Sequence, residues 1–209
     1  MKITKVFRPV RMFEIKSNGH ILAIFPDESG VHPREFYDHL GTLVHWHRRY
    51  DLGDQYIDRS EAQEYVDNLV KQGAIILPVY LLDHSGLRMS TGDFGDPWDS
   101  GQVGILYVTY EKIRKEFGVK RISENLRNKV KKILINEIEE MDQYLEGDVY
   151  GFEILTPNGE VIDSCWGFYG HNFKENGLFD YADVSSEDLE EIDEYTFGNV
   201  PAEVVYKAM

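Results

Sequence analysis

Five short segments concentrate the residue types that do chemistry. His45-Trp46-His47-Arg48-Arg49-Tyr50-Asp51-Leu52-Gly53-Asp54 places two histidines, two arginines and two carboxylates within ten residues. On an extended backbone His45 and His47 point to the same side and could share a metal ion; on a helix they diverge. Arg48 and Arg49 suit phosphate or carboxylate, because a guanidinium fork matches either anion with two parallel hydrogen bonds. The structural alternative is a helix end whose side chains cap carbonyls and pair with Asp51 and Asp54.

The second segment, Leu82-Asp83-His84-Ser85-Gly86, has the composition of a tight turn. His84 between Asp83 and Ser85 has the residue types of a hydrolase, but three neighbours in one turn do not converge on one atom. The third runs from Asp93 to Gln102. Trp98 offers a flat face, Asp99, Ser100 and Gln102 offer hydrogen bonds, and Gly101 allows close backbone approach. Its Asp93, Asp96 and Asp99 lack the spacing and distal Glu of a calcium loop. The fourth, Asp163-Ser164-Cys165-Trp166-Gly167-Phe168-Tyr169-Gly170, suits a strand edge packed with rings or an aromatic wall for a base or sugar. Cys165 has no basic neighbour before His171 and reads as an inert thiol. The fifth runs from Asp142 to Gly151, with Gly147 fitting a helix C-cap.

These segments need elements to hold them. Asn18-Gly19 and Asn158-Gly159 sit between alternating apolar residues and predict two β-hairpins, since both residues tolerate the positive φ of tight turns. A third hairpin is expected to turn at 83–86, joining Ile75–Leu82 to Leu87–Ser90, and Gln102–Tyr110 reads as a further strand. Ser60-Glu61-Ala62-Gln63 has the form of a capping box, opening a helix that runs to Gln72 and stops at Gly73. Apolar residues three and four apart place a long helix over Ile122–Leu145. Shorter helices are expected from Pro33, including Phe36, Leu40 and Leu43, and from Ser185. Hairpins interspersed with helices argue for an α+β fold, a mostly antiparallel sheet covered by helices. With 209 residues and no linker or repeat, the reading is a single domain over 1–209, with an acidic C-terminal segment from about residue 175.

Composition narrows the function classes. The net charge is −15, which opposes direct nucleic-acid binding and attraction to anionic membranes and favours basic partners. Charge is uneven: 112–132 is basic, and the acidic residues gather after Glu175. The single cysteine allows no internal disulfide, as in a reducing compartment. No signal peptide is visible, and the apolar stretch Ala74–Leu82 is too short to span a membrane. Phosphate-binding Gly-Lys-Ser/Thr, Gly-x-Gly-x-x-Gly, Gly-x-Ser-x-Gly and paired-Cys zinc patterns are all absent.

Taken together, His47-Arg48-Arg49-Tyr50 with Gly53-Asp54, Asp83-His84-Ser85-Gly86, Pro97-Trp98-Asp99-Ser100-Gly101-Gln102, Asp142 to Gly151 and Asp163 to Gly170 resemble a family of uncharacterised proteins of bacteriophages and bacterial mobile elements. The resemblance covers roughly residues 35 to 170. It implies an accessory protein acting in the bacterial cytoplasm and carries no activity with it. The leading expectation is a binding protein that modulates a host protein, such as a defence enzyme. A second is a protein that binds a small anionic ligand such as a nucleotide. Its candidate ligand-binding residues are His47, Arg48, Arg49, Asp54, His84, Trp98, Asp99, Ser100, Gln102, Trp166 and Tyr169. A third is a metal-assisted hydrolase using His45 or His47 with Asp54, Asp83, His84 or Asp99. The sequence assigns no cofactor and no definite metal site.

Overall fold

The computed structural model describes residues 6–36, 38–192 and 204–205. In chain order the elements are β1 (Val6–Phe7), β2 (Arg11–Ile15), β3 (His20–Pro26), α1 (Pro33–Phe36), β4 (Thr42–His45), β5 (Gln55–Tyr56), a 3-10 turn (Arg59–Glu61) and α2 (Ala62–Gln72). They continue with β6 (Ala74–Asp83), β7 (Leu87–Ser90), β8 (Ser100–Thr109), α3 (Tyr110–Glu116), α4 (Glu124–Glu146), β9 (Val149–Leu155), β10 (Val161–Tyr169), α5 (Leu178–Tyr181), β11 (Leu189–Glu191) and β12 (Val204–Val205). The fold is α+β and its sheets are mostly antiparallel. No linker marks a boundary in the sequence, but the contacts divide the chain into two compact units. One comprises residues 1–31 with 147–209, the other residues 32–146.

The unit formed by residues 32–146 is built on a five-stranded sheet in the order β5-β4-β8-β6-β7. Every pairing is antiparallel except β4 with β5. Both faces are covered, which explains the consecutive apolar residues Leu43-Val44 of β4 and Ile105-Leu106 of β8. Leu43, Leu106 and Val108 pack with Val130, Leu134, Ile138 and Met141 of α4 on one face. Val44, Trp46 and Ile105 pack with Leu69, Tyr65 and Val66 of α2 on the other. Val79 faces Gly104 and Tyr80 faces Gln102, so Val103 is the extra residue of a β-bulge.

The other unit carries the sheet β10-β9-β3-β2-β11, antiparallel throughout. Strand β3 is buried on both faces. Phe13, Leu22, Ile24, Phe152 and Ile154 meet Phe173 and Leu178 on one side, while Ile21, Ala23, Phe25 and Leu155 form a second cluster.

The three expected hairpins and the helix ending at Gln72 form, the strand expected over Gln102–Tyr110 runs Ser100–Thr109 with Tyr110 opening α3, and the long helix expected over Ile122–Leu145 runs Glu124–Glu146. Three local expectations are corrected. Ser60 does not open a capping box with Gln63. Its N–H and hydroxyl donate to Asp58 Oδ1 at 3.2 and 3.1 Å, and Gln63 donates to Asp67. The helix from Pro33 is a single turn ending at Phe36, and Leu43 lies in a strand. Ser185 opens no helix. Its Oγ accepts from the Asp188 N–H in an isolated turn, and Leu189–Glu191 pairs with β2. That pairing occupies part of the acidic segment: Asp188 accepts from Ser17, and Glu191 pairs with Arg11 at 2.6 Å. The rest of that segment, 193–203 and 206–209, lies outside the described residues.

Candidate functional site: an arginine-lined cleft

The site begins where β4 ends. Past His45 the chain stays extended beside β8, and the Trp46 N–H donates to Val103 O at 2.9 Å. The Trp46 ring is buried against the α2 face, and its Nε1–H donates to Gln102 O at 3.1 Å. The chain then turns. His47 Nδ1 accepts from the Tyr50 N–H at 3.2 Å, and the two rings stack at 4.9 Å with 3° between their planes. Between these anchors Arg48 and Arg49 are thrown outward, exposed. Arg59 arrives from the 3-10 turn, which Asp58 caps, and approaches Gln102 O at 3.5 Å. The bulge at Val103 re-aims the start of β8 at this place, a common function of bulges beside sites.

The product is an open cleft of about 420 Å³ lined by Trp46, His47, Arg48, Arg49, Arg59, Gln102 and Val103. Three arginines and no acidic residue line it, with the Arg49 guanidinium lying over the Tyr50 ring. Burial, and then the charge of Arg49, hold the His47 imidazole below its ordinary value. Its neutral ring accepts at Nδ1, so the proton sits on Nε2.

Next to the cleft stands a rim of polar residues. Arg49 pairs with Asp83 at 2.6 Å, and the Tyr50 hydroxyl donates to the same carboxylate at 3.3 Å. The Asp83 N–H donates to Asp99 O at 2.8 Å, and His84 Nδ1 meets Asp99 Oδ2 at 2.7 Å. His84 thus pairs with a residue of the loop before β8, not with its neighbours in the turn. That loop is well tied. Asp96 Oδ1 accepts from the N–H groups of Trp98 and Asp99, and Ser100 Oγ donates to Asp96 O at 2.6 Å. The backbone donors of Asp99 and Trp98 hold the Asp96 carboxyl below its ordinary value. Trp98 rides on this loop 91% exposed.

Among the residues singled out from the sequence, His47, Arg48, Arg49 and Gln102 therefore line one cleft. His84 and Asp99 connect to it through Asp83, and Trp98 and Ser100 sit on the same loop as Asp99 without lining the cleft. Three others serve elsewhere. Asp54 is structural: it accepts from Arg34 and from the Leu43 N–H at 2.7 Å. Burial pushes its carboxyl up, but those bonds outweigh burial and hold it below the ordinary value. Trp166 lies in the other unit, packed over Gly151 and near Phe25 at 6.3 Å. Tyr169, in that unit too, donates to Val31 O at 2.6 Å.

His45 and His47 do not share a site. His45 is buried with Nε2 3.2 Å from Asp51 and its ring against Tyr56, while His47 stacks on Tyr50. Among the described residues, no group of three or more His, Cys, Asp or Glu side chains is arranged to hold a metal ion. Sequence reasoning missed Arg59. The signal was Asp58, whose capping places Arg59 in the first turn facing β8.

Among the described residues, no helix is long and apolar enough to cross a membrane. Compared with protein-family models, curated proteins and solved structures, the chain matches none.

Proposed function

We propose that the unit formed by residues 32–146 binds a small anionic ligand, with Arg48, Arg49 and Arg59 as its receptors. One observation carries the reading: three arginines and no acidic residue line a single cleft on a chain of net charge −15. Arg49 is paired with Asp83, and a bound anion would take bidentate hydrogen bonds from Arg48 and Arg59, whose like charges otherwise repel. A small anion meets only the cleft. A nucleic-acid polymer would also meet the acidic remainder of the surface. The test is calorimetric titration with inorganic pyrophosphate. Arg48→Ala combined with Arg59→Ala is expected to weaken binding at least tenfold, about 1.4 kcal/mol, with the fold intact by circular dichroism. Equal affinity in the double variant, or no binding by the unaltered protein, removes the reading.

A second reading follows from the net charge and from strand β10. This edge strand leaves Val161, Ile162 and Trp166 48%, 54% and 37% exposed. Exposed apolar edge residues on an acidic chain favour a protein partner with a basic surface. This is the accessory role, a phage or mobile-element product modulating a host protein in the bacterial cytoplasm, that the family resemblance implies. A pull-down from bacterial lysate should recover one basic protein in stoichiometric amount, lost in Trp166→Asp. Recovery of nothing specific, or retention by the variant, counts against it.

A further inference from the structure

We infer that the ligand of the arginine cleft is a nucleotide, whose base lies on the face of His47 turned away from Tyr50. The inference rests on the anion-binding reading and narrows it to one chemical class. The cleft joins two chemistries that a simple phosphate does not need together. Arg48, Arg49 and Arg59 supply cationic forks, and His47 supplies a flat ring in the same lining. That ring is pre-oriented. Tyr50 backs one face at 4.9 Å and its N–H fixes Nδ1, so the base would not have to order the ring on arrival. The imidazole is held neutral by burial and by Arg49, which keeps it a π surface with an N–H at its edge. Gln102 adds an amide to the same lining. Its Nε2 donates to Gly104 O at 3.1 Å, which orients the side chain. Trp46 and Val103 give the apolar floor that the body of a nucleoside buries.

Trp98, though far more exposed, is not part of this lining. Base stacking on an aromatic side chain raises affinity by roughly ten- to a hundredfold. A ribose phosphate lacking the base should forgo that factor.

The experiment titrates the full chain with AMP, GMP, CMP, UMP and ribose 5-phosphate by calorimetry. At least one nucleotide should bind tenfold or more tightly than ribose 5-phosphate. His47→Ala should erase that difference, His47→Phe should restore it, and Trp98→Ala should leave it intact. Equal affinity for ribose 5-phosphate and every nucleotide, with Arg48→Ala still weakening all of them, overturns the inference and leaves anion binding standing. A nucleotide preference that survives in His47→Ala but disappears in Trp98→Ala also overturns it. Binding of none of the five compounds removes both readings.

Discussion

At the scale of single residues, only part of the cleft lining was legible. Arg48 and Arg49 are chain neighbours of His47, so residue type and spacing flagged them together, whereas Arg59, Gln102 and Val103 reach the same lining only through the fold. Asp54 shows the opposite case. Its meaning depends on Arg34, 20 residues away, which in turn reaches Glu137 across 103 residues at 3.0 Å. Glu137 accepts from the N–H groups of Leu40 and Gly41, so the Arg34 fork, 2% exposed, binds two carboxylates that are themselves engaged with backbone. No short window of sequence contains that network. Titration gives a residue-scale prediction. His47 and His32 are both held below the ordinary imidazole value of 6.5, chiefly by burial. A base whose folded pKa is depressed leaves the unfolded chain binding more protons, so its contribution is fully present above 6.5 and is lost as pH falls through the folded value. Urea midpoints should fall between pH 7 and pH 5, and His32→Gln with His47→Gln should flatten that fall. An unchanged slope in the double variant would assign the effect to other groups. Asp54, depressed below 3.8, adds a second loss only at more acid pH.

At the scale of elements, hairpins and the long helix were readable because turn chemistry and a 3.6-residue period are short-range signals. The failures share one cause, competition from backbone partners distant in sequence. The Ser185 turn has the hydrogen bond of a helix N-cap, but the residues after it find the open edge of β2. Leu43 fits a helical spacing from Phe36 and Leu40, yet Thr42–His45 is drawn into the sheet between β5 and β8. Gly104 marks how tightly that sheet is built. A Cβ placed there would strike Val44 O and come within 3.3 Å of His45 Cα. Gly104→Ala must therefore push β4 from β8 next to the strand end that launches His47 to Arg49. It is expected to cost about 1–3 kcal/mol of stability and to weaken anion binding as well. Chemical denaturation and the pyrophosphate titration read the two effects. Stability within a few tenths of a kcal/mol of the unaltered protein would mean the strands adjust freely.

At the scale of the whole molecule, the α+β class followed from the order of elements, but the division into two units did not. The sequence carries no linker at either crossing, and the chain leaves one unit after β3 and returns to it in β9, which pairs with β3. Pro26 stands opposite Tyr150, and the Asp27 N–H donates to Val149 O at 2.7 Å. Within the inserted residues the His32 ring lies 5.2 Å from Tyr144, so the insert's two ends are neighbours once it is folded.

That proximity has a kinetic consequence. Bringing β3 to β9 through an unfolded insert carries a loop-closure entropy that grows with the logarithm of its length. A folded insert shrinks the effective loop to a handful of residues, and pairing of the central strands becomes nearly a hairpin event. The order of assembly should then be inside first. Trp46 and Trp98 report on the insert and Trp166 on the flanking unit. In refolding of single-tryptophan variants, the first two signals should lead the third. Leu134→Ala, in the insert's core, should delay the Trp166 signal even though it alters no residue of the flanking unit. Simultaneous signals, or Trp166 leading, would mean that the flanking sheet closes without help from the segment it encloses.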